Sequence, residues 1–232
     1  MRLFTRVLLT ALACISFLPI WLAQGVTLNP KAGAMPADRI SDSFQIYSML
    51  IPVGETANEG WPHDLWLVAD ATIEAVESNL PCETSPQDDP LKNRRFFQVL
   101  SPHLAIEFPD EYLLDGREIV ADFNAHCHER WKLDSGSWSL KQPVHLLSPA
   151  EQEEFKTTKN SKSAPPEILK KYKGAPALYA FSGVYFNHNH RVAVVYVTQW
   201  CGGLCGEGFW VAFTNDGTGW VEQDWRSDHW MS

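Results

Sequence analysis

The chain has 232 residues, of which 45% are hydrophobic and 20% charged, and its formal net charge at pH 7 is −9. An excess of carboxylates repels phosphate backbones and anionic lipid headgroups, so the composition argues against nucleic acid and acidic membranes as partners. The length is sufficient for one large or two small domains with a hydrophobic core, and we predict a single domain because no linker separates two complete patterns.

The N-terminal residues carry the features of an export signal. Arg2 and Arg6 precede an apolar run over residues 7–23, and small residues lead to Gly25, after which we expect cleavage. Residues 1–25 are therefore predicted to be the signal peptide of a secreted or periplasmic protein. The alternative is a protein anchored in a membrane by residues 7–23, because this run is close to the length that spans a bilayer. Removal of the signal leaves 17 basic and 28 acidic residues, a net charge of −11.

The predicted domain begins after a short lead-in. Residues 26–40 are rich in proline, glycine and alanine, and we expect a flexible segment there. Residues 41–232 are predicted to form one α+β domain. Its first element is a helix capped by Ser41 and ended by Pro52, and the apolar run within residues 64–70 predicts a short buried strand.

Two further helices are predicted in the middle of the chain. Prolines flank the first, over residues 91–100. The second, over residues 116–131, places Ile119, Phe123 and Cys127 on one apolar stripe. Cys127 is therefore expected to point towards the core.

A capping box opens the next predicted helix. Ser148 and Glu151 have the spacing at which each side chain bonds the backbone N–H of the other. The polar tract over residues 156–163 predicts a mobile segment, and residues 166–172 predict one or two helical turns.

The hydrophobic period changes from helical to two in the C-terminal third, which predicts strands. Four strands are predicted, over residues 179–187, 191–200, 209–214 and 220–225. Asp216-Gly217 favours a tight hairpin, because glycine accepts the positive φ that such turns require. The fold class is therefore α+β, with N-terminal helices packed on a C-terminal antiparallel four-stranded meander with one additional strand near Leu65.

Four of the five cysteines lie beyond the signal segment, at positions 82, 127, 201 and 205, and an even number in an exported chain indicates disulfides with three possible connectivities. We favour a structural Cys201–Cys205 bond across a glycine-rich turn. Thiol–disulfide exchange is the alternative, but redox motifs place two residues between the cysteines at a helix N-terminus, whereas three residues and a strand occur here. A bond between Cys82 and Cys127 would close a 46-residue loop and contribute about 4 kcal/mol.

The C-terminal motifs resemble those of a group of uncharacterised bacterial exported proteins. The matching segments, in order, lie at residues 181–187, 193–197, 201–208 and 217–220. The third of these is the sequence Cys-Gly-Gly-Leu-Cys-Gly-Glu-Gly. The resemblance implies an exported module with the same β-meander and carries no activity with it.

Histidine pairs suggest metal binding but lack the expected ligand spacing. On a helix, His126 and His128 point about 200° apart and do not converge on one ion. His188 and His190 lie in a predicted turn, without an accompanying ligand at a fixed spacing. We therefore predict no metal ligands and no cofactor.

Local signatures of catalysis are also missing from the sequence, which contains no Gly-x-Ser-x-Gly elbow and no His-Glu-x-x-His motif. Ser182 lies beside a glycine in a predicted strand, where packing is the expected role. Glu107, Asp110 and Glu111 form an acidic cluster that is typical of a solvated surface. We predict no catalytic residue from local pattern.

Tryptophan is unusually frequent near the C-terminus. Trp210, Trp220 and Trp225 are candidates for stacking on a ligand, with core packing as the alternative. The predicted function is a non-catalytic binding or envelope-associated module whose partner is a small molecule, a glycan or a protein. The alternative is a hydrolase with a site assembled from distant residues. Exposed tryptophans in a groove would favour binding, and convergent histidine and carboxylate side chains in a pocket would favour the enzyme.

Overall fold

A computed structural model describes residues 31–51, 65–75, 82, 95–96, 106–160, 167, 171–172, 175–203, 205–225, 227 and 229–231. The predicted signal peptide, its cleavage site and residues 26–30 of the lead-in lie outside these residues. Within them the chain forms three α-helices and an eight-stranded mixed sheet, with a separate two-stranded pair. The predicted α+β class is confirmed. None of the described helices is long and apolar enough to cross a bilayer.

The first helix, α1, spans Ala37–Leu50 and begins directly after Pro36. The predicted cap at Ser41 is wrong, and so is the flexible lead-in for residues 37–40. The backbone N–H of Arg39 bonds the carbonyl of Pro36 at 3.0 Å, which closes the first turn. Pro36 also fixes its own φ near the value that helix entry requires.

The second helix, α2, spans Leu113–His126, and its predicted apolar stripe is confirmed because Ile119, Phe123 and Cys127 are fully buried. The helix ends five residues before the predicted end. The reason is tertiary: the Thr72 hydroxyl accepts a 2.8 Å hydrogen bond from the backbone N–H of Trp131, which draws this segment away from the helix axis.

The third helix, α3, spans Pro149–Asn160 and begins with the predicted capping box. The Glu151 carboxylate accepts from the Ser148 N–H at 3.1 Å, and the Ser148 hydroxyl accepts from the Glu151 N–H at 3.4 Å. The predicted mobile tract is wrong for residues 156–160, which continue the helix, and residues 161–163 lie outside the described residues. In the predicted turns over residues 166–172, the described positions 167 and 171 are helical.

The predicted helix over residues 91–100 is wrong where it is described. Arg95–Phe96 forms strand β2, which pairs antiparallel with β3, Ile106–Glu107. A partner strand satisfies the backbone groups there, and this long-range contact overrides the local helical pattern.

The main sheet has the strand order β10-β8-β7-β5-β1-β4, with β6 also on β7 and β9 also on β8. The strands are β1 Trp66–Ala69, β4 Val144–Leu147, β5 Leu178–Phe181, β6 Tyr185–Phe186, β7 Val192–Gly202, β8 Cys205–Asn215, β9 Trp220–Gln223 and β10 His229–Met231. The antiparallel meander is confirmed by the pairing of β5, β7, β8 and β9 in sequence order. The additional strand is β1, which runs parallel to both β4 and β5.

The first predicted meander strand is broken into β5 and β6 at Ser182. Its backbone N–H still bonds the Tyr196 carbonyl at 2.9 Å, whereas the Tyr196 N–H bonds the Ser182 hydroxyl at 2.9 Å. The side chain thus replaces a backbone acceptor, so Ser182 has a hydrogen-bonding role in the sheet in addition to the packing role that was predicted.

Helices cover both faces of the sheet. On one face, Phe44 and Tyr47 of α1 pack with Phe181 and Phe213. On the other face, α2 packs against Trp210 and its neighbours, and α3 buries Phe155 against β1 and β5. Strand β6 is only two residues long, so α1 and α2 contact each other around this edge of the sheet through Arg39 and Asp122.

Candidate functional site

A surface cleft of about 550 Å³ lies where α1, α2 and the turn between β6 and β7 meet. Its lining combines acids, histidines and one guanidinium with apolar surface. The lining residues are Asp38, Arg39, Glu118, Ala121, Asp122, Phe186, Asn187, His188 and His190. A volume of this size suits a small ligand.

The floor of the cleft is a buried ion pair between Arg39 and Asp122. Arg39 Nη1 donates to Asp122 Oδ2 at 2.9 Å and Nη2 donates to Oδ1, which makes the contact bidentate. The two side chains are 10% and 14% exposed. Arg39 Nη1 also donates to the Val184 carbonyl at 3.1 Å, and Asp122 accepts from the Phe186 N–H at 2.8 Å. The pair therefore satisfies backbone groups at the β6 edge, where a neighbouring strand would otherwise bond them.

Aromatic rings hold the guanidinium in this position. The Arg39 Cζ atom lies 5.7 Å from the ring centroid of Trp131 and 5.7 Å from that of Phe186. Burial alone would lower the pKa of Arg39, but the hydrogen bonds and charge of Asp122 outweigh it and raise that pKa above its ordinary value. The group therefore stays charged, and most of its charge is matched by Asp122.

A second charge-assisted contact lies beside the first. His190 Nδ1 is 3.0 Å from Asp42 Oδ2, and Asp42 Oδ1 accepts from Trp220 Nε1 at 3.0 Å. The His190 ring stacks on Phe186 with centroids 4.3 Å apart. Because a carboxylate can only accept, Nδ1 of the neutral ring carries the proton and Nε2 is its basic nitrogen.

The turn that carries both histidines is fixed by side-chain hydrogen bonds. Asn187 Oδ1 accepts from the N–H groups of Arg191 and Val192, and the Asn187 amide donates to Asp115 at 2.7 Å. His190 has a φ of 53°, in the left-handed region that non-glycine residues seldom occupy. The fold thus holds His190 in a costly backbone conformation with its ring against Asp42.

The mouth of the cleft is acidic. Asp38 and Glu118 are exposed, and Glu118 also accepts from the backbone N–H of His188 at 2.9 Å. Among the described residues that line the cleft, Arg39 is the one permanent cation and none carries a hydroxyl, thiol or amine side chain. This set is suited to bind a positively charged group or to transfer a proton, and it offers no serine- or cysteine-type nucleophile.

The tryptophans predicted to stack on a ligand do not line this cleft. The prediction is wrong for Trp210 and Trp220, which are 1% and 6% exposed, because Trp210 faces α2 and Trp220 packs on Phe186. Trp225 is half-buried and packs on Phe108 and Tyr112.

Both disulfides are present, Cys201–Cys205 and Cys82–Cys127. The first joins β7 to β8 across the hairpin turn, so the chain after it continues as a strand, as predicted. The second ties the end of α2 to Cys82, which lies 45 residues earlier in the chain. Two disulfides indicate a non-cytoplasmic, oxidising compartment.

The remaining predicted candidates are dispersed. His126 lies near Asp122 and Glu129, whereas His128 lies near Glu74, so the two rings diverge as their spacing predicts. His188 is exposed at the mouth of the cleft. The acidic residues Glu107, Asp110 and Glu111 do not line the cleft.

Sequence reasoning missed the residues on which the cleft depends: Arg39, Asp42 and Asp122. Arg39 is 83 residues from Asp122, and Asp42 is 148 residues from His190, so no local motif joins them. The sequence carried one indication that Arg39 is buried, because Arg39 falls on the same helical face as the buried residues Ser43 and Ile46.

No protein-family model, curated protein or solved structure matches this chain. Function must therefore be inferred from the side chains that line the cleft.

Proposed function

We propose that the protein is a secreted or periplasmic, non-catalytic binding module whose cleft takes a small polar ligand with a positively charged group. The observation that carries this proposal is the charge arrangement of the cleft. Arg39 is matched by Asp122 on the floor, whereas Asp38 and Glu118 add two carboxylates at the mouth. A cationic ligand would complement this charge, and an anionic one would be repelled.

The rigidity of the cleft supports a binding role. Its floor is fixed by a bidentate ion pair, and its turn is fixed by Asn187 and Glu118. A preformed site loses little conformational entropy when a ligand binds. The resemblance of residues 181–220 to bacterial exported proteins agrees with the proposed location.

Thermal shift measurements with a four-carbon probe series test the charge preference. Putrescine carries two ammonium groups, butanediol is neutral and succinate carries two carboxylates. We expect putrescine alone to raise the melting temperature at constant ionic strength, which must be fixed because exposed charges are screened by salt.

Matched acidic variants locate the effect. Glu118→Gln should abolish most of the putrescine shift, whereas Glu153→Gln, which removes an exposed carboxylate from α3, should retain it. Equal shifts with butanediol, or an equal loss in both variants, would contradict the proposal.

The alternative function is a hydrolase, and one observation favours it. The Trp220–Asp42–His190 chain orients an imidazole at a cleft, which is the arrangement of a general base that activates water. Acetylthiocholine is a suitable probe because it joins a hydrolysable ester to a cation. Turnover that is lost in His190→Gln and retained in the half-exposed His145→Gln would support the enzyme, whereas putrescine binding without turnover would support the binding module.

A further inference from the structure

We propose that the reduced chain binds one zinc ion at the C-terminal end of α2, through Cys82, Cys127, His128 and Glu74. This site is separate from the cleft and does not depend on its function. The metal binds when the two cysteines are reduced, and their disulfide takes its place when they are oxidised.

The donor atoms already lie close together. One atom each from Cys82, Cys127 and His128 lie within 4.8 Å of one another. Glu74 Oε2 lies 3.8 Å from His128 Nδ1. Donors around a tetrahedral zinc ion are separated by about 3.3 to 3.8 Å, given Zn–S near 2.3 Å and Zn–N or Zn–O near 2.0 to 2.1 Å. The Cys82, Cys127 and His128 donors therefore need only small side-chain movements once the sulfur–sulfur bond is open, and Glu74 completes the set from the His128 side.

Hydrogen bonds hold the segments that carry Glu74, Cys127 and His128 in place before any metal arrives. The Ala75 N–H bonds the Cys127 carbonyl at 3.0 Å, and Trp131 N–H bonds the Thr72 hydroxyl at 2.8 Å. Arg130 Nε adds a 3.0 Å bond to the Thr72 carbonyl. The segment that carries Glu74 is thus fixed against Cys127 and against Arg130 and Trp131, on either side of His128, which is the preorganisation that a metal site requires.

The burial of the donors suits a metal ion that is held tightly but can still enter the site from solvent. Cys127 is fully buried and the Glu74 side chain is 10% exposed, while His128 is 38% exposed and provides a route from solvent. Two thiolates, an imidazole and a carboxylate match the preference of zinc, whereas magnesium and calcium prefer sites composed only of oxygen.

The thiols that bind zinc are available in two ways. Every newly made chain carries thiols before its disulfides form. In an oxidised chain, a dithiol reductant gives two electrons and two protons to the Cys82 and Cys127 sulfurs, breaks their bond and itself becomes a disulfide. Zinc then displaces the two thiol protons as it binds. Either the metal or the disulfide therefore closes the same loop between α2 and residue 82.

Cobalt absorption tests the site in the full chain. Cys14, Cys201 and Cys205 are replaced by serine in every protein, so that one thiol pair remains. We expect the reduced protein to bind one Co²⁺ with the strong visible absorption of tetrahedral thiolate coordination, which Zn²⁺ then displaces. The oxidised protein should bind none.

Ligand variants assign the donors. His128→Ala and Glu74→Gln should each weaken Co²⁺ binding by at least about tenfold. His126→Ala is the matched control, because this ring lies at the same helix end but contacts Asp122 and Glu129.

Three outcomes would overturn the proposal: no Co²⁺ bound by the reduced protein, binding that is unchanged in His128→Ala, or equal binding by oxidised protein. Circular dichroism covers the case in which reduction unfolds the chain. Zn²⁺ should then restore the native spectrum, and failure to restore it would also overturn the proposal.

Discussion

Replacing Arg39 by methionine is expected to destabilise the protein strongly, because it leaves the Asp122 carboxylate buried without its cation. The Asp122 side chain is 14% exposed, and the Val184 carbonyl would lose its donor at the same time. Breaking a buried pair from one side costs about 3 to 5 kcal/mol. For a chain of this length, that loss lowers the melting temperature by about 6 to 20 °C, which denaturant and thermal unfolding with intact disulfides would measure.

A double variant distinguishes the contribution of the ion pair from that of the hydrogen bonds that it makes to the backbone at the strand edge. A buried pair replaced by apolar residues is often neutral for stability. Here we expect Arg39→Met/Asp122→Leu to remain destabilised, because the Val184 carbonyl and the Phe186 N–H are buried and would both lack partners.

Lys171→Met is the control for the Arg39 variant. Its partner Glu154 lies 2.7 Å away, but both side chains are about one-third exposed, and such surface pairs contribute little. The reasoning would be refuted if Arg39→Met lowered stability no more than Lys171→Met.

Three further predictions concern packing, disulfides and pH. Gly183→Ala should cost about 1 to 3 kcal/mol in denaturant unfolding, because its Cβ would lie 2.6 Å from the buried Trp131 ring. Removing the Cys82–Cys127 bond should cost about 4 kcal/mol and removing Cys201–Cys205 about 2 kcal/mol, since the first closes the longer loop. Hydrogen bonds from the preceding cap lower the pKa of Glu151, so its stabilising effect should be full above pH 4.5, its ordinary value, and lost as the pH falls through the lowered pKa.

Each of these predictions has a matched comparison. Gly33→Ala places its Cβ 4.0 Å from the nearest atom and should be tolerated, so an equal loss would contradict the packing argument. The disulfide prediction is wrong if removing Cys201–Cys205 lowers the free energy of unfolding as much as removing Cys82–Cys127. For the cap, the stability difference between the native protein and Glu151→Gln should shrink in acid, and a difference independent of pH would exclude the stated mechanism.

Local sequence determined the elements whose stabilising contacts are close in the chain. The capping box of Ser148 and Glu151, the α2 stripe and the antiparallel meander all depend on residues a few positions apart or on short turns, so pattern alone predicted them. The four cysteines also predicted an oxidising compartment and disulfides without any coordinates.

Only the tertiary structure decided how these elements are joined. Strand β4 pairs in parallel with β1 across more than 70 residues, and a strand replaces helix at Arg95–Phe96 because a partner strand satisfies its backbone. The cleft depends in the same way on Arg39 reaching Asp122 and on His190 reaching Asp42, over separations at which no local pattern persists. Trp210 and Trp220 became core residues for the same reason: α2 and Phe186 cover them, and that cover is supplied by distant parts of the chain.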